Sequence, residues 1–357
     1  MGCYAQTAPE ELAAVHGVNL VIGTKDKSKI VELVEDYQAE QGVQNYVTDI
    51  MHERVFEPLE IKKLANRTRA YLKIQDGCSQ FCSYCIIPYA RGPIRSRQPE
   101  DVIAEVKRLA ENGFKEVVLT GIHVASYGKD LKTITLTDII RQVHEVEGIE
   151  RIRFSSIEPN VVTEEFAAAM AELPKVCDHF HLSLQSGCDK TLKEMNRKYD
   201  TEKYRQAAAL LRKYLPDVAI TTDIIVGFPG ETEEDYQASR AFAEEIGFSK
   251  IHVFPYSPKK GTPAAARKDQ LQNAVKQERS HDLITVSDRM TDAFLQKHVG
   301  KVMPVLFERC IGDDVYEGHT TNYMKVHARS TKDLSNVIAD TKILSVAEEM
   351  AFGEVEA

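Results

Sequence analysis

No apolar run in the 357 residues approaches the ~20 needed to span a bilayer. No basic segment followed by an apolar stretch opens the chain, so no secretory signal peptide is read and the cytoplasm is the expected compartment. Positive charge is not in excess: 54 acidic against 45 basic residues leave a net charge of −9. That balance excludes a global cationic field for nucleic acid, though not a local basic patch. Cysteines are few, odd in number and unevenly spaced, seven in all, which argues against a disulfide framework and makes metal or cluster binding the reading to test. The 19 Gly and 13 Pro follow no period, so collagen-like and low-complexity organisations are excluded. What remains is the balance of a globular protein, 43% hydrophobic and 28% charged, with length for two or three domains.

The first forty residues read as a helix (9–15), a strand (18–23) and a second helix (26–40). Pro9, Glu10 and Glu11 make a helix N-terminal signature, and Ile30, Leu33, Val34 and Tyr37 recur at helical spacing. This α/β piece is too small for an independent core, and the polar stretch after it, about 41–66, reads as a linker. Strands are then expected at 70–74, 116–120, 152–157, 179–184, 219–226 and 251–255. Between them fall helical patterns at 100–112, 136–147, 163–172, 201–214 and 231–246. Strands separated by helices argue a parallel sheet, and six βα steps fit either a doubly wound sheet or an incomplete barrel. Both place the chemistry at the carboxyl ends of the strands. A long helix, 270–296, leads into short β-like runs at 302–307, 323–328 and 336–339, read as a small antiparallel β domain.

The strongest local signal is Gly77-Cys78-Ser79-Gln80-Phe81-Cys82-Ser83-Tyr84-Cys85, a Cys-x3-Cys-x2-Cys spacing directly after the first of those strands. Three thiolates on one short loop suit three irons of a cubane cluster and leave the fourth iron open to a ligand. Structural zinc would want four ligands, usually two Cys-x2-Cys knuckles, and no second knuckle exists. Cys177, Cys188 and Cys310 are isolated and read as buried small apolar residues.

This spacing, with an aromatic residue before the third cysteine, resembles the radical S-adenosylmethionine superfamily. The resemblance implies a [4Fe–4S] cluster on Cys78, Cys82 and Cys85, S-adenosylmethionine on the open iron, Tyr84 near the adenine, and a partial (βα)6 barrel. Further segments are similar to the methylthiotransferases over essentially the whole chain: Cys85-Ile86-Ile87-Pro88-Tyr89-Ala90-Arg91-Gly92, Leu119-Thr120-Gly121-Ile122-His123, Ser155-Ser156-Ile157-Glu158-Pro159, Leu184-Gln185-Ser186-Gly187 and Asp223-Ile224-Ile225-Val226-Gly227-Phe228-Pro229-Gly230-Glu231-Thr232. The Ser-Ser-Ile-Glu stretch and the opening Gly2-Cys3-Tyr4-Ala5-Gln6-Thr7 look most like the branch acting on threonylcarbamoyladenosine in tRNA. The fold class so implied is α/β: an N-terminal α/β remnant (1–45), a linker (46–66), a partial (βα)6 radical SAM barrel (67–290) and a small antiparallel TRAM-like β domain (291–357).

The resemblance also assigns residues and partners. Thr120 and Gly121 would receive the methionine amino group, with a plain βα-turn glycine as the alternative reading. Gln185 ends the fourth strand and would reach the ligand or serve as a hydrogen-bonded turn residue. Arg197 would pair with the methionine carboxylate or remain a solvated surface arginine. Phe228-Pro229-Gly230-Glu231-Thr232 reads as a turn into a helix and a possible wall of the site, and His123 as more often structural than substrate-touching. Basic residues cluster at Lys62, Lys63, Arg67 and Arg69 and at Arg91, Arg95 and Arg97, the second group either facing RNA or simply solvated. From residue 290 onward 7 Lys and Arg stand against 11 Asp and Glu, which weakens an RNA reading of the β domain by itself.

Methylthiotransferases hold a second, sulfur-handling cluster on three N-terminal cysteines, and only Cys3 matches one of them, the third. The expectation is therefore an N-terminally truncated member with one cluster and the auxiliary one not formed. The expected reaction is reductive cleavage of S-adenosylmethionine, hydrogen abstraction from C2 of the modified adenosine, sulfur insertion and methylation. Its partners would be the anticodon-loop adenosine of tRNA and an electron donor such as a flavodoxin or ferredoxin, with no membrane. The alternatives are isopentenyl-adenosine tRNA or a ribosomal protein as target, or a non-catalytic Fe–S RNA-binding fragment.

Overall fold

The structure, a computed structural model, describes residues 1–38, 42–58 and 68–356. Its N-terminal part holds α1 (Cys3–Thr7), α2 (Pro9–Ala13), β1 (Leu20–Ile22), α3 (Ile30–Glu35) and β2 (Gln44–Tyr46). The expected second helix is shorter than its pattern: a 3-10 turn at Lys27–Lys29 precedes the six residues of α3, and residues 39–41 lie outside the described residues. Strand β2, Gln-Asn-Tyr, sits at the start of the stretch read as linker. Polar residues without alternation carry no strand signal, and it is parallel pairing with β1, Leu20 opposite Gln44, that makes this segment extended.

The βα series runs β3 (Arg69–Asp76), α4 (Ile87–Arg91), β4 (Arg95–Ser96), α5 (Pro99–Glu111), β5 (Glu116–Gly121), α6 (Leu136–His144), β6 (Arg151–Phe154), α7 (Glu164–Ala171), β7 (His179–His181), α8 (Asp189–Glu194), α9 (Thr201–Tyr214), β8 (Ala219–Val226), α10 (Glu233–Ile246) and β9 (Lys250–Pro255). All six expected strands and five helices are present. Two sheets, β4-β3-β5-β6 and β7-β8-β9, are joined by parallel bridges from Ile152 to Val176 and from Ile157 to Leu182. Apart from the short antiparallel β4, the strands are parallel and lie in chain order. An order without reversal removes the doubly wound alternative.

The helices are placed by local chemistry. Helix α5 starts on Pro99 with Glu100 and Asp101 in its first turn and buries Val102, Val106 and Leu109, one face at helical spacing. Capping boxes start α6 (Thr135 with Asp138) and α10 (Thr232 with Asp235). Their apolar faces and the outward face of the strands form one core that includes Leu72, Ile74, Val117, Leu119, Phe180 and Ile224. The inward face differs: on β9, Ile251 is buried while His252 and Phe254 are exposed, and Tyr71 of β3 is exposed as well. Aliphatic layers do not fill this sheet, as they would fill a closed barrel, so its concave side is a cavity.

Helix α11 (Asn273–Gln296) leads to β10 (Val302–Gly312), β11 (Val315–Thr320), β12 (Lys325–Arg329), β13 (Val337–Ala347) and β14 (Met350–Val355), a closed barrel of order β10-β11-β12-β14-β13. The expected antiparallel unit needs correction, because β12 and β14 pair in parallel to close it. Strands β11 and β14 lie outside the runs expected from the sequence. The β13–β14 turn is Glu348-Glu349, both at positive φ (51° and 60°), a pair that lacks the Asn-Gly signature of such hairpins. Val305, Phe307, Val326, Ile343 and Ala351 fill the interior. No helix among the described residues is long and apolar enough to cross a membrane.

A buried charge node ties this barrel to the βα series. Glu116, fully buried, lies 2.5 Å from Arg69 Nε and 2.9 Å from Arg153 Nε, and Arg69 Nη2 reaches Glu308 at 2.9 Å. Arg153 donates to the carbonyls of Thr320 and Thr321 at 2.7 and 2.8 Å, and Arg151 to those of His319 and Pro304, both at 2.8 Å. Removing one partner of a buried ion pair leaves the others desolvated without compensation. Glu116→Ala is expected to cost about 3–5 kcal/mol, read as a fall in the urea midpoint, with protease cleavage appearing between α11 and β10.

Candidate active site

The cysteine loop leaves the carboxyl end of β3 and is held from both sides. Gly77 has φ 72° and a Cβ there would stand 1.8 Å from the Pro93 carbonyl oxygen, so the turn admits glycine alone. Cys78 N donates to Gly92 O at 2.9 Å. Gln75, fully buried, donates from Nε2 to the carbonyls of Asp76 and Gly77 (2.6 and 2.8 Å) and accepts from His123 N at 2.8 Å. On the other side Ser83 N and Oγ donate to the carbonyls of Met195 (3.0 Å) and Glu194 (2.7 Å), and Asn196 Nδ2 donates to Phe81 O at 2.8 Å. The loop is thereby clamped between β3 and the turn joining α8 to α9.

Cys78, Cys82 and Cys85 line one cavity of about 150 Å³ together with Tyr84, Glu158 and Arg197. Among the described residues no three His, Cys, Asp or Glu side chains converge on a single metal point. A mononuclear zinc site needs such convergence, whereas a cubane cluster spreads its thiolates over three irons and needs a shared cavity. Burial pushes the Cys78 thiol up to about 11 and raises that of Cys85, so both carry protons that an incoming metal must displace. The donor set therefore fits an iron–sulfur cluster.

Arg197 organises the wall. Its Nη1 donates to Cys82 Sγ at 3.2 Å, its Nη2 to Glu158 Oε1 at 2.7 Å and its Nε to Tyr199 Oη at 2.9 Å. The second oxygen of Glu158 lies 3.2 Å from both His123 Nε2 and Gln80 Nε2. Burial drives the Glu158 carboxyl upward, but the His123 hydrogen bond and the Arg197 charge outweigh it and hold the group below its ordinary 4.5. Tyr84 packs on Met195, Phe228, Tyr256 and Ala264, and burial pushes its hydroxyl well above 10.

Of the residues singled out in the sequence, five share this cavity: Cys78, Cys82, Cys85, Tyr84 and Arg197. His123 joins them through Glu158. Thr120 lines a second, larger cavity of about 500 Å³ on the concave face, which meets the first at Ser156. Gly121 lies behind, where a Cβ would meet Gln75 Oε1 at 2.8 Å, so Gln75 explains that glycine. Gln185, at φ 70°, exchanges backbone hydrogen bonds with Asp223 and Ile225 and does not line the cluster cavity. Nor does Cys3, whose Sγ accepts from Arg91 Nε at 3.2 Å on α1.

Several readings are corrected. Arg95 and Arg97 are buried and spent on internal partners, Arg95 on the carbonyls of Arg91 and Pro93 and Arg97 on Glu105, so they form no surface patch for RNA. Lys62, Lys63 and Arg67 lie outside the described residues. Cys177 is buried as expected, but Cys188 is half-buried and Cys310 is exposed, because β10 runs past the wall of its barrel after a register shift at Phe307. The sequence reading missed Gln75 as a strut and Glu158 as the partner of Arg197. Glu158 lies in the Ser-Ser-Ile-Glu stretch, but nothing local marks a carboxylate as buried.

A carboxyl held below its unfolded value stabilises the fold above that value and loses the contribution as pH falls through the folded one. Glu158→Gln is therefore expected to lower the unfolding midpoint at neutral pH. Its deficit relative to the parent protein should shrink as the pH is taken below 4.5, measured by urea titration across that range.

Comparison with known proteins agrees with this geometry. A family model described as Radical SAM superfamily matches residues 72–243. The chain is 43% identical over 348 residues to the threonylcarbamoyladenosine tRNA methylthiotransferase MtaB of Bacillus subtilis (strain 168), covering 96% of this chain and 77% of that protein. It is 40% identical over 343 residues to the tRNA-2-methylthio-N(6)-dimethylallyladenosine synthase of Thermoanaerobacter sp. (strain X514), covering 95% and 72%. With the MtaB of Aquifex aeolicus (strain VF5) it shares 36% over 339 residues, covering 94% and 81%. Identity at this level across so much of both chains, together with the clustered cysteine loop, shows that the chain belongs to the radical S-adenosylmethionine methylthiotransferase family.

Proposed function

We propose that the protein adds a methylthio group to C2 of N6-threonylcarbamoyladenosine in the anticodon loop of tRNA, with Cys78, Cys82 and Cys85 as ligands of one [4Fe–4S] cluster. The observation that carries this reading is the convergence of the three thiols, Tyr84 and Arg197 on one cavity, in a chain 43% identical to an enzyme named for that nucleoside. When bound at this cavity, the cluster and S-adenosylmethionine would supply the radical chemistry needed to activate C2. The chain's own part is positioning. Tyr84 forms an apolar wall on the adenine side, and Arg197, fixed by Glu158 and Tyr199, offers its guanidinium to Cys82 and to the methionine carboxylate. Thr120 and Gly121 at the end of β5 are the proposed seat of the methionine amino group, Thr120 lining the larger cavity that meets the cluster pocket at Ser156. The six parallel strands in chain order support a partial (βα)6 barrel, and the closed five-stranded unit supports a TRAM-like domain over 291–357. In this scheme residues 67–290 form the barrel and residues 1–45 belong to a separate α/β unit, and a flavodoxin or ferredoxin serves as electron donor.

Among the described residues Cys78, Cys82 and Cys85 share one cavity and Cys3 lies outside it, so one cluster is proposed on this polypeptide. Iron and sulfide analysis after anaerobic reconstitution is expected to give about four iron per chain, and a value near eight would refute the single-cluster reading. Cys82→Ala should abolish the charge-transfer absorbance; if it survives, the ligand assignment is wrong. With dithionite and S-adenosylmethionine the protein is expected to release 5′-deoxyadenosine in the presence of an anticodon stem-loop bearing threonylcarbamoyladenosine. No release from an intact cluster would favour a non-catalytic RNA-binding protein.

A further inference from the structure

The larger cavity, about 500 Å³, lies on the concave face below the cluster pocket, within the range of small-ligand sites. Its floor is closed by Tyr323 of the C-terminal barrel, held at φ 69° between the stacked rings of His179 and His319, each 4.9 Å away, and flanked by Arg69 and Arg153. One wall is a run of imidazoles. Thr221 Oγ1 stands 3.0 Å from His179 Nε2 and 3.1 Å from His181 Nδ1, His181 Nε2 lies 3.2 Å from Asp223, and His252 stacks on His181 at 5.8 Å.

Most of these groups are committed to one another, but Ser155 and His252 are not, and the buried Nε2 of His181, 3.2 Å from Asp223, makes no well-directed hydrogen bond. Ser155 Oγ is buried in the cavity wall without a hydrogen-bond partner. His252 is exposed to the cavity and its ring nitrogens have no hydrogen-bond partner among the described residues. It reaches this position because β9 alternates, Ile251 going into the core and His252 to the concave face, in register with Asp223 of β8. Burial and the neighbouring His181 hold its pKa below 6.5, so at neutral pH the ring offers one donor and one acceptor. Ser156 lines both cavities, so a base presenting one edge to the cluster pocket can extend its substituent into the larger cavity.

We infer that this cavity receives the N6 substituent of the target adenosine and that His252 is a specificity-determining residue that hydrogen-bonds its polar groups. The inference rests on the substrate reading above. A threonylcarbamoyl group brings urea, hydroxyl and carboxylate oxygens to the unpaired donors of His252 and Ser155. A dimethylallyl group would remove water from His252 and Ser155 and return nothing, and a site built to hydrogen-bond rejects the analogue that cannot.

The test is binding, which needs no turnover. Anticodon stem-loops carrying either threonylcarbamoyladenosine or dimethylallyladenosine are titrated by fluorescence anisotropy into the reconstituted protein and its His252→Leu and His252→Gln variants. The parent protein is expected to prefer the threonylcarbamoyl RNA by about tenfold or more. His252→Leu should reduce that preference to within about twofold by weakening the threonylcarbamoyl RNA alone, while His252→Gln, which keeps a donor and an acceptor, retains most of it. An unchanged preference in His252→Leu overturns the inference and leaves the substrate reading standing, as does a parent protein that binds both RNAs equally. A parent protein that prefers the dimethylallyl RNA overturns the substrate reading and the inference together.

Discussion

The buried pair of Arg197 and Glu158 is the constraint on which the cluster pocket depends. Arg197 stands at the turn between α8 and α9, Glu158 just past β6, Cys82 on the loop after β3 and His123 after β5, so one guanidinium and one carboxylate tie four separate strand ends together. Neither group is tolerable alone at that depth, because a buried charge without its partner carries its full desolvation cost. Together they compensate, and the remaining lone pairs and protons go to Gln80, His123 and Tyr199. The cysteine loop is ordered against this frame, with Gln75 and the Ser83 hydrogen bonds as its two clamps.

A second charge node, Arg69 and Arg153 around Glu116, does the equivalent work at the amino ends of the strands. It fixes the C-terminal barrel beneath the concave face, and the loop it grips carries Tyr323 into the cavity floor. The two nodes thus define the top and bottom of one space. Parallel strands in chain order, open between β9 and β3, leave that space unfilled by aliphatic layers.

Much of this was legible in the chain. The alternation of strand and helix gave every long element of the βα series because buried parallel strands and amphipathic helices have strong periods. The Cys78, Cys82 and Cys85 loop was legible because its spacing is local. The short elements were not: α4, α8, β2 and β4 are two to six residues long, and their backbone is set by contacts with distant segments. Strand β14 was hidden by a Glu-Glu hairpin, and Arg95 and Arg97 looked like a surface patch because a charge run does not show which of its members meet buried carboxylates.

The sequence by itself determined the βα architecture, the cluster loop and the family, since each rests on periods or spacings within short stretches. Only the tertiary structure decided that Glu158 faces Arg197, that Gly121 answers to Gln75, and that Cys3 and Gln185 stand apart from the cavity holding Cys78, Cys82, Cys85, Tyr84 and Arg197. It also decided that His179, His181 and His252 line one wall. The physical reason is the same in each case. A side chain's burial and charge partner depend on which strand ends are brought side by side, and the residues that meet there, such as Glu158 and Arg197 at |i−j| of 39, have no local signal of the meeting.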